Sequence, residues 1–350
     1  MTHELKTGGD RGYLRIATEE AFGLPEQLDA YVQLVKDGKA DKGTTSLWGF
    51  YGTAKSERTN FIRDRLVDLD DLRIAAMDET GIDVAVLSLT SPGGQVFEAD
   101  FAKSLVRKAN NVLKDAVDRH PTRYAGMISI VPQDVAWSVE EISRGKSELG
   151  FKGVMVNSHT QGHYLDEEQF DPFLRACVEN DLPLYIHPQG PPDNLIGTMV
   201  EAGLDGAVFG FGVETSFHLL RILTTGVFDR YPDLTICVGH GGEAIPYWLF
   251  RMNYMHQAGV RSQRYERLKP LKQDLFHYMR NNVVVTTSGM ASELAIKLCI
   301  DQLGDDRVMY AMDYPYEYVA DEVRTHDNMN IMDAQKKKLM QTNAERVFKL

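Results

Sequence analysis

The sequence predicts a closed (β/α)8 barrel, with a loop insertion after strand 1 and additional C-terminal helices. Eight short apolar runs alternate with longer segments that are apolar at helical spacing. The runs are almost continuously apolar, as in parallel strands that are buried on both faces. An open, doubly wound sheet is the alternative, but no GxGxxG-like turn follows the first run. The predicted strands cover residues 14–18, 83–89, 124–131, 153–158, 183–187, 235–240, 283–288 and 308–313.

Length and composition indicate one elaborated globular domain. The chain has 350 residues, of which 43% are hydrophobic and 25% are charged, which is enough apolar material for a large core. No repeat or Pro/Gly/Ser-rich linker divides the sequence. We therefore expect a single barrel domain over residues 1–350, in which an insertion at 39–62 shapes the pocket and residues 314–350 form a helical extension.

Charge, the length of apolar runs and cysteine usage argue against a nucleic-acid partner, a membrane span and a secretory signal. The 38 Lys and Arg against 50 Asp and Glu give a formal net charge of −12, so a nucleic acid, which binds clustered cationic side chains, is not expected. No run approaches the roughly 18 apolar residues of a membrane span, and the amino-terminal segment lacks the apolar core of a secretory signal. Cys177, Cys237 and Cys299 have no CxxC spacing and are expected to be buried free thiols of a cytoplasmic protein.

Side chains capable of chemistry occur where several predicted strands end. Glu19 and Glu20 follow strand 1, and strands 5, 6 and 8 end at His187, His240 and Asp313. Because the carboxyl ends of barrel strands form one rim, we expect these side chains to converge. Each residue alone also has a simpler structural explanation, such as a solvated strand end or a helix cap.

Asp313 and Glu19 are predicted to be metal ligands. Strands 8 and 1 are neighbours in a closed barrel, and two buried carboxylates that face each other repel unless a cation or a proton lies between them. With His187 they offer two oxygen donors and one nitrogen donor. This set suits Mn²⁺, Zn²⁺ or Mg²⁺ and leaves open positions for a substrate. Mn²⁺ is the metal expected here, with Zn²⁺ as the alternative.

His240 and Glu243 lie in the segment VGHGGEAIPYW, where two glycines allow a tight turn from strand to helix. Glu243 falls in the first turn of that helix. From there it can hydrogen-bond a ring nitrogen of His240, fix its tautomer and raise its basicity. A capping carboxylate beside an unrelated histidine is the alternative interpretation.

The segments GFKGVMVNSHTQG, PLYIHP, VGHGGEAIPYW and YAMDYPY, in this order, resemble the aromatic-acid decarboxylase branch of the amidohydrolase superfamily. The likeness covers nearly the whole chain. Two departures distinguish it from the binuclear hydrolases of that superfamily. The first-strand motif is Glu19-Glu20-Ala21 instead of a histidine pair, and strand 4 ends at Asn157 and Ser158 without a metal-bridging lysine. Both departures imply a single metal ion.

The resemblance implies metal-dependent, non-oxidative decarboxylation of an ortho-hydroxy aromatic carboxylate, most specifically 5-carboxyvanillate to vanillate in lignin-derived aromatic catabolism. It implies no organic cofactor, and it makes Asp313, His240 and Glu243 catalytic, with Asp313 or His240 as the proton donor. Arg58 is implied to bind the substrate carboxylate. Arg251 is implied to come from a neighbouring subunit of a homodimer or higher homo-oligomer. The remaining residues expected to contact the ring are Thr90, Phe211, Tyr316 and, in the insertion, Tyr51.

Other functions stay open from the sequence alone. The same site can serve a decarboxylase of another hydroxybenzoate such as γ-resorcylate. It can also serve a hydrolase of a lactone or amide, in which the metal activates water. A barrel that only binds other molecules is a third alternative. Release of CO₂ distinguishes decarboxylation from hydrolysis, and retention of stoichiometric metal distinguishes either enzyme from a scaffold.

Overall fold

The structure, a computed structural model, describes residues 11–319 and 321–350. Its centre is a sheet of eight parallel strands that pair in chain order. The strands are β1 (Ile16–Phe22), β2 (Val84–Leu89), β3 (Tyr124–Ser129), β4 (Gly153–Asn157), β5 (Leu184–His187), β6 (Ile236–Val238), β7 (Val283–Thr286) and β8 (Val308–Met309).

Helices connect the strands and surround the sheet. The first ten are α1 (Pro25–Lys36), α2 (Lys42–Tyr51), α3 (Glu57–Val67), α4 (Asp71–Thr80), α5 (Ala99–Arg119), α6 (Val135–Ser147), α7 (Asp171–Glu179), α8 (Asp193–Ala202), α9 (Gly210–Thr224) and α10 (Val227–Arg230). The others are α11 (His240–Glu243), α12 (Ile245–Arg261), α13 (Leu275–Asn281), α14 (Glu293–Leu303), α15 (Glu322–Asp327), α16 (Asp333–Lys337) and α17 (Asn343–Phe348). None of the helices in the described ranges is long and apolar enough to cross a bilayer.

The sheet closes between its first and last strands. The Thr18 N–H donates to the carbonyl of Tyr310 at 3.1 Å, and the Ala21 N–H donates to the carbonyl of Tyr314 at 2.8 Å. These bonds join β1 to the segment that directly follows β8. The predicted (β/α)8 barrel is therefore confirmed, as are the helices that follow the last strand.

Apolar side chains fill the barrel interior in layers, and a helix closes one end. The interior cluster takes side chains from every strand: Ile16, Val86, Ala125, Met127, Met155, Tyr185, Cys237, Val284 and Met309. Val347 and Phe348 of α17 pack against the same cluster. The Phe348 ring lies beside Gly153, where an added Cβ would be 3.1 Å from it. Because Gly153 begins β4, α17 closes the amino end and leaves the carboxyl end for the site.

The strands differ in length from the predicted runs, and the differences in β1 and β8 affect the site. β1 runs on to Phe22, so that Glu19 and Glu20 lie within the strand and not beyond it. Its register against β2 shifts between Ala17 and Glu20, an irregularity that re-aims side chains. β8 ends at Met309, four residues before Asp313, whose φ of 66° is left-handed and incompatible with a continuing strand.

The insertion at 39–62 was expected to be a loop, and most of it is helical. Asp41 accepts a hydrogen bond from the Thr44 N–H at 2.6 Å at the start of α2. Ser56 accepts one from the Thr59 N–H at 3.2 Å at the start of α3. These caps supply partners for amide groups that a helix leaves unpaired. The sequence therefore contains an N-cap residue before each of these helices, although the glycine-rich and aromatic composition of the insertion suggested a loop.

Candidate active site

Glu19 and Glu20 are adjacent in β1, but they serve different parts of the structure. Both are buried. The Glu20 carboxylate accepts hydrogen bonds from the backbone N–H groups of Met312 at 3.0 Å and Tyr314 at 3.2 Å. It thereby fixes the residues on either side of Asp313. Glu19 points instead toward the histidines at the ends of β5 and β6.

Glu19, His187 and Asp313 come together at the carboxyl end of the barrel. One ligand atom from each residue lies within 4.8 Å of those of the other two. Glu19 Oε1 is 3.6 Å from His187 Nε2. His187 Nδ1 lies 2.8 Å from the carbonyl oxygen of Pro188, which can only accept, so Nδ1 carries the hydrogen and the Nε2 lone pair faces the cluster.

The two carboxylate oxygens of Glu19 have different surroundings. Oε1 is buried without a hydrogen-bond partner among the described residues, whereas Oε2 accepts from three hydroxyl groups. Leaving a charged buried oxygen unpartnered is costly unless a cation or a proton neutralises it. Two carboxylates and one imidazole are donors that Mn²⁺ and Zn²⁺ accept. The three residues therefore fit the predicted metal.

The carboxyl groups of Asp313 and Glu19 differ in pKa. Burial raises the pKa of Asp313 well above its usual range, and the neighbouring Glu19 raises it further. Burial also acts to raise the pKa of Glu19, but the charges of His240 and His187 and the hydroxyl donors hold it below its ordinary value. Asp313 is thus the carboxyl group more readily protonated. A bound cation would favour the ionised form of both groups.

His240 lies beside this cluster, with Nε2 3.9 Å from Glu19 Oε1. Its backbone has φ of 49°, and Gly241 and Gly242 follow at 65° and 72°, so the left-handed turn depends on the two glycines. His240 Nδ1 lies 2.9 Å from the carbonyl oxygen of Ser288 and therefore donates to it. The tautomer is thus set by Ser288, and Nε2 is directed to the cluster.

Glu243 influences His240 through charge. The hydrogen bond that the sequence suggested between these residues does not form within the described chain, because His240 Nδ1 is bonded to Ser288 and Glu243 Oε1 is buried without a partner. Burial lowers the pKa of His240, but the carboxylates of Glu19, Glu243 and Asp313 outweigh it and raise that pKa to about 10. Burial raises the pKa of Glu243 to about 7.

Tyr316 contacts three of the other residues predicted to bind the substrate. Its hydroxyl group is 2.7 Å from Thr90 Oγ1, at the end of β2. Its ring meets that of Tyr51 edge-on, with 5.8 Å between centroids. Its carbonyl oxygen accepts from Arg58 Nη2 at 2.5 Å. The structure therefore brings the insertion, β2 and the segment after Asp313 together on one side of the rim.

Phe211 and Arg251 occupy other positions. Phe211 is in the first turn of α9, and a Cβ at the next residue, Gly212, would be 3.0 Å from Glu243 Oε2. Phe211 thus neighbours in sequence a position that adjoins Glu243. Arg251 is exposed on α12 in the isolated chain and is not part of this group.

The sequence reasoning missed the three hydroxyl donors to Glu19, which are Tyr185, Thr286 and Ser288. The alternation of strand residues could have identified them, because every second side chain points to the same face. Tyr185 stands two positions before His187 on β5. Thr286 ends β7, and Ser288 follows two positions later.

A second buried polar cluster holds the amino-terminal half of α9. Leu165 N–H donates to His218 Nε2 at 3.0 Å, so Nδ1 carries the ring hydrogen and donates to Ser158 Oγ at 3.1 Å. Ser158 in turn donates to Glu214 at 2.9 Å. A catalytic serine would give its proton to the histidine, which is the opposite direction. This cluster is therefore structural.

A family model described as Amidohydrolase matches residues 58–350. The chain belongs to the amidohydrolase family. Among its relatives, the γ-resorcylate decarboxylase of Polaromonas sp. is 34% identical over 297 residues, which are 83% of this chain and 90% of that protein. The γ-resorcylate decarboxylase of Rhodococcus jostii is 32% identical over 349 residues, which are 96% of this chain and 98% of that protein.

Solved structures place this amidohydrolase in the decarboxylase branch that its strand-end motifs indicated. A 5-carboxyvanillate decarboxylase from Novosphingobium aromaticivorans, complexed with manganese and 4-hydroxy-3-methoxy-5-nitrobenzoic acid, has a TM-score of 0.97 and 61% identity, and each chain covers 100% of the other. The 5-carboxyvanillate decarboxylase from Sphingomonas paucimobilis has a TM-score of 0.91 and 36% identity over 96% of this chain and 99% of that one.

Proposed function

We propose that this amidohydrolase catalyses the metal-dependent, non-oxidative decarboxylation of 5-carboxyvanillate to vanillate. One observation carries the proposal: the cluster of Glu19, His187 and Asp313 lies in a chain that is 61% identical, end to end, to a 5-carboxyvanillate decarboxylase holding manganese. The compound bound there is 4-hydroxy-3-methoxy-5-nitrobenzoic acid. Its nitro group stands where 5-carboxyvanillate has the carboxylate ortho to the phenol.

Mn²⁺ is the proposed metal, with Zn²⁺ as the alternative, and no organic cofactor is needed. Glu19, His187 and Asp313 would hold the ion. When bound, it supplies a Lewis acid for the phenolate and carboxylate oxygens of the substrate. The unpartnered Oε1 of Glu19 and the free Nε2 of His187 support this assignment.

Side chains on the other side of the rim bind the aromatic acid. Arg58 carries the cationic group suited to a carboxylate and is fixed by its bond to the Tyr316 carbonyl. Tyr51 and Tyr316 present aromatic surface to the ring, and Thr90 holds the Tyr316 hydroxyl. Phe211 closes the pocket on the side of His240.

Asp313 donates a proton to the ring carbon that bears the carboxylate. Direct loss of CO₂ would leave an electron pair in the ring plane, orthogonal to the π system, so protonation comes first. The ortho phenolate pushes electron density onto that carbon, which takes the proton and loses aromaticity. The C–CO₂ bond then breaks, its electron pair restores the aromatic ring, and Asp313 regains a proton from solvent. Burial of Asp313, which raises its pKa, favours the neutral donor.

His240 and Glu243 face the phenol side of the site and hold the phenol oxygen. The Ser288 carbonyl keeps His240 Nε2 directed into the cluster. The negative charge of Glu243 favours the protonated imidazole. An imidazolium beside the ring is also the alternative proton donor, and variants of Asp313 and His240 distinguish the two routes.

The active unit is a homodimer or a higher homo-oligomer, in which Arg251 of one subunit completes the site of another. Arg251 is exposed in the single chain. Around it, α12 exposes large apolar side chains that a monomer would not be expected to leave in water: Tyr247, Trp248, Phe250 and Tyr254. The free, buried cysteines Cys177, Cys237 and Cys299 support a cytoplasmic location.

Decarboxylation of γ-resorcylate is the second candidate. The relatives from Polaromonas sp. and Rhodococcus jostii carry that name at 34% and 32% identity. Both candidate substrates have a hydroxyl group ortho to the carboxylate that is lost, so the same cluster can act on either. The higher identity to the 5-carboxyvanillate enzyme favours the methoxylated substrate.

One assay tests the proposed function. Protein reconstituted with Mn²⁺ is incubated with 5-carboxyvanillate, γ-resorcylate or an aromatic lactone, and CO₂ release is measured together with the ring product. We expect the highest kcat/KM for 5-carboxyvanillate, with vanillate and CO₂ formed in equal amounts. A higher value for γ-resorcylate would establish the second candidate. Opening of the lactone without CO₂ release from either acid would overturn both.

A further inference from the structure

We propose that Tyr185, Thr286 and Ser288 act together as positioning residues that fix Glu19 as a metal ligand through one oxygen. We further propose that Ser288 couples Glu19 to His240. We call the three side chains the hydroxyl cradle. The inference rests on the proposed metal-dependent function and extends it to residues that do not touch the metal or the substrate.

The hydroxyl cradle saturates one oxygen of Glu19. Oε2 accepts from Thr286 Oγ1 at 3.0 Å, from Ser288 Oγ at 2.5 Å and from the hydroxyl of Tyr185. The donors also contact one another, with 3.0 Å between Tyr185 and Thr286 and 3.1 Å between Thr286 and Ser288. All three residues are buried. An oxygen with three donors has no lone pair left to give to a cation.

The other oxygen has the opposite surroundings. Glu19 Oε1 has no hydrogen-bond partner in the described chain, and it lies 3.6 Å from His187 Nε2 and 3.9 Å from His240 Nε2. Rotating the carboxylate to exchange its oxygens would break three hydrogen bonds. The cradle therefore selects Oε1 as the ligand atom and holds its position before any cation arrives.

Ser288 also holds His240. Its Oγ accepts from the backbone N–H of His240 at 3.0 Å while donating to Glu19, and its carbonyl oxygen accepts from His240 Nδ1 at 2.9 Å. One residue thus links a ligand on β1 with the histidine after β6. The close approach needs the glycine at 239, where a Cβ would lie 2.5 Å from Glu19 Oε2 and 2.9 Å from Ser288 Oγ.

The cradle has a consequence for metal affinity. A ligand whose side chain is already fixed loses little conformational freedom on binding, whereas a mobile carboxylate must be ordered by the metal itself. Partners that orient a ligand typically contribute about 10-fold to 100-fold in affinity. Removing a cradle hydroxyl should therefore weaken Mn²⁺ binding although the three ligands are intact.

The test is a titration of metal-stripped protein with Mn²⁺, in which electron paramagnetic resonance measures the free ion. Thr286→Val and Ser288→Ala should each raise the Kd for Mn²⁺ about 10-fold or more. Thr286→Ser keeps the hydroxyl and should bind as the wild type does. The matched control is Thr287→Val, at the residue directly after β7, because the Thr287 hydroxyl hydrogen-bonds within the described chain only to backbone atoms of Ala311, at 3.2 and 3.3 Å.

A second measurement tests the coupling to His240. At saturating Mn²⁺, Thr286→Val should recover most of the wild-type kcat, whereas Ser288→Ala should not, because His240 has lost a backbone partner.

Wild-type Mn²⁺ affinity in Thr286→Val, or an equal loss in Thr287→Val, would overturn the cradle. Full recovery of kcat in Ser288→Ala would overturn the coupling. Failure of the wild type itself to bind Mn²⁺ would instead contradict the proposed function. If Ser288→Ala does not fold, the comparison of Thr286→Val with Thr286→Ser still tests whether the cradle positions Glu19.

Discussion

The Glu20 carboxylate lies 3.0 Å from the backbone nitrogen of Met312 and accepts its N–H. This bond, with the one from Tyr314 at 3.2 Å, ties β1 to both sides of Asp313. Asp313 has a φ of 66°, a left-handed conformation that an L-residue adopts only where its surroundings stabilise it. Glu20 is thus part of what places the carboxylate of Asp313.

Replacing Glu20 by Gln should disturb that placement. A Gln side chain has one carbonyl oxygen, and its NH₂ group would face a backbone N–H, so one of the two hydrogen bonds is lost in a buried position. We expect a loss of about 1–3 kcal/mol in the free energy of unfolding and weaker Mn²⁺ binding. Urea unfolding and metal titration measure these. Glu201→Gln, at an exposed position on α8, is the matched control and should change neither. Wild-type stability in Glu20→Gln would contradict the prediction.

Asp313→Asn should abolish turnover while leaving metal in the site. The amide oxygen can still face the cation, but the side chain no longer has a carboxyl proton to give. Loss of a general acid lowers kcat by about 10²–10⁴-fold. The measurements are CO₂ release and metal content of the same sample. If Asp313→Asn decarboxylates at a substantial rate with metal bound and His240→Asn does not, the proton donor is His240.

Arg58→Ala should act mainly on substrate binding. Loss of a charge-assisted hydrogen bond costs about 1.5–3 kcal/mol, which corresponds to a rise in KM of at least about 10-fold. Steady-state kinetics with 5-carboxyvanillate measure the effect. Arg63→Ala is the matched control, since Arg63 lies on the same helix and donates to Gly52 and Asn60. An unchanged KM would remove Arg58 from the substrate site.

A mixing experiment tests whether Arg251 serves a neighbouring subunit. Arg251→Ala and Asp313→Asn proteins should each be nearly inactive alone. After dissociation and random reassociation, mixed dimers contain one site with both wild-type residues, and about a quarter of the wild-type activity should return. Size-exclusion chromatography with light scattering checks that dimers re-form. Reassociated dimers that stay inactive would show that Arg251 does not act across an interface.

His218 should make the protein less stable in acid. Burial lowers the pKa of its imidazole to about 3, with the charge of Arg221 adding to the effect. The unfolded chain takes up this proton near pH 6.5, so the stabilisation is fully present above that pH and is lost as the pH falls toward 3. His218→Gln should be less stable at neutral pH but lose less stability between pH 7 and pH 5, as measured by urea unfolding. Parallel curves for the two proteins would contradict this.

The convergence of the strand ends could be predicted from the sequence because it follows from the geometry of a barrel. Parallel strands bring their carboxyl ends to one rim whatever the loops between them do. That rule alone placed Glu19, His187 and Asp313 near one another although 294 positions separate the first from the last (313 − 19). It needed no knowledge of side-chain orientation.

Side-chain direction could not be predicted in the same way. Alternation alone separates Glu19 from Glu20, but counted from the inward Ile16 it would turn Glu20 to the interior. The register shift between Ala17 and Glu20, which depends on pairing with β2, turns Glu19 inward instead. Alternation after β7 puts Ser288 on the same face as Thr286, but it does not indicate which residues Ser288 contacts there. Its two roles depend on a close approach to the glycine at 239 from another part of the chain. These features follow from tertiary contacts and leave no local signal.

Helix α17, which closes the amino end of the barrel, determines when the barrel interior can be completed during synthesis. Phe348 belongs to the layer of side chains inside the strands, so that layer stays incomplete until residue 348 has left the ribosome. The bonds that close the sheet, such as the one from Thr18 to Tyr310 after β8, likewise join residues far apart in the chain. Until those residues are made, the early strands have apolar surface that is not yet covered, so closure of the barrel is expected late in folding.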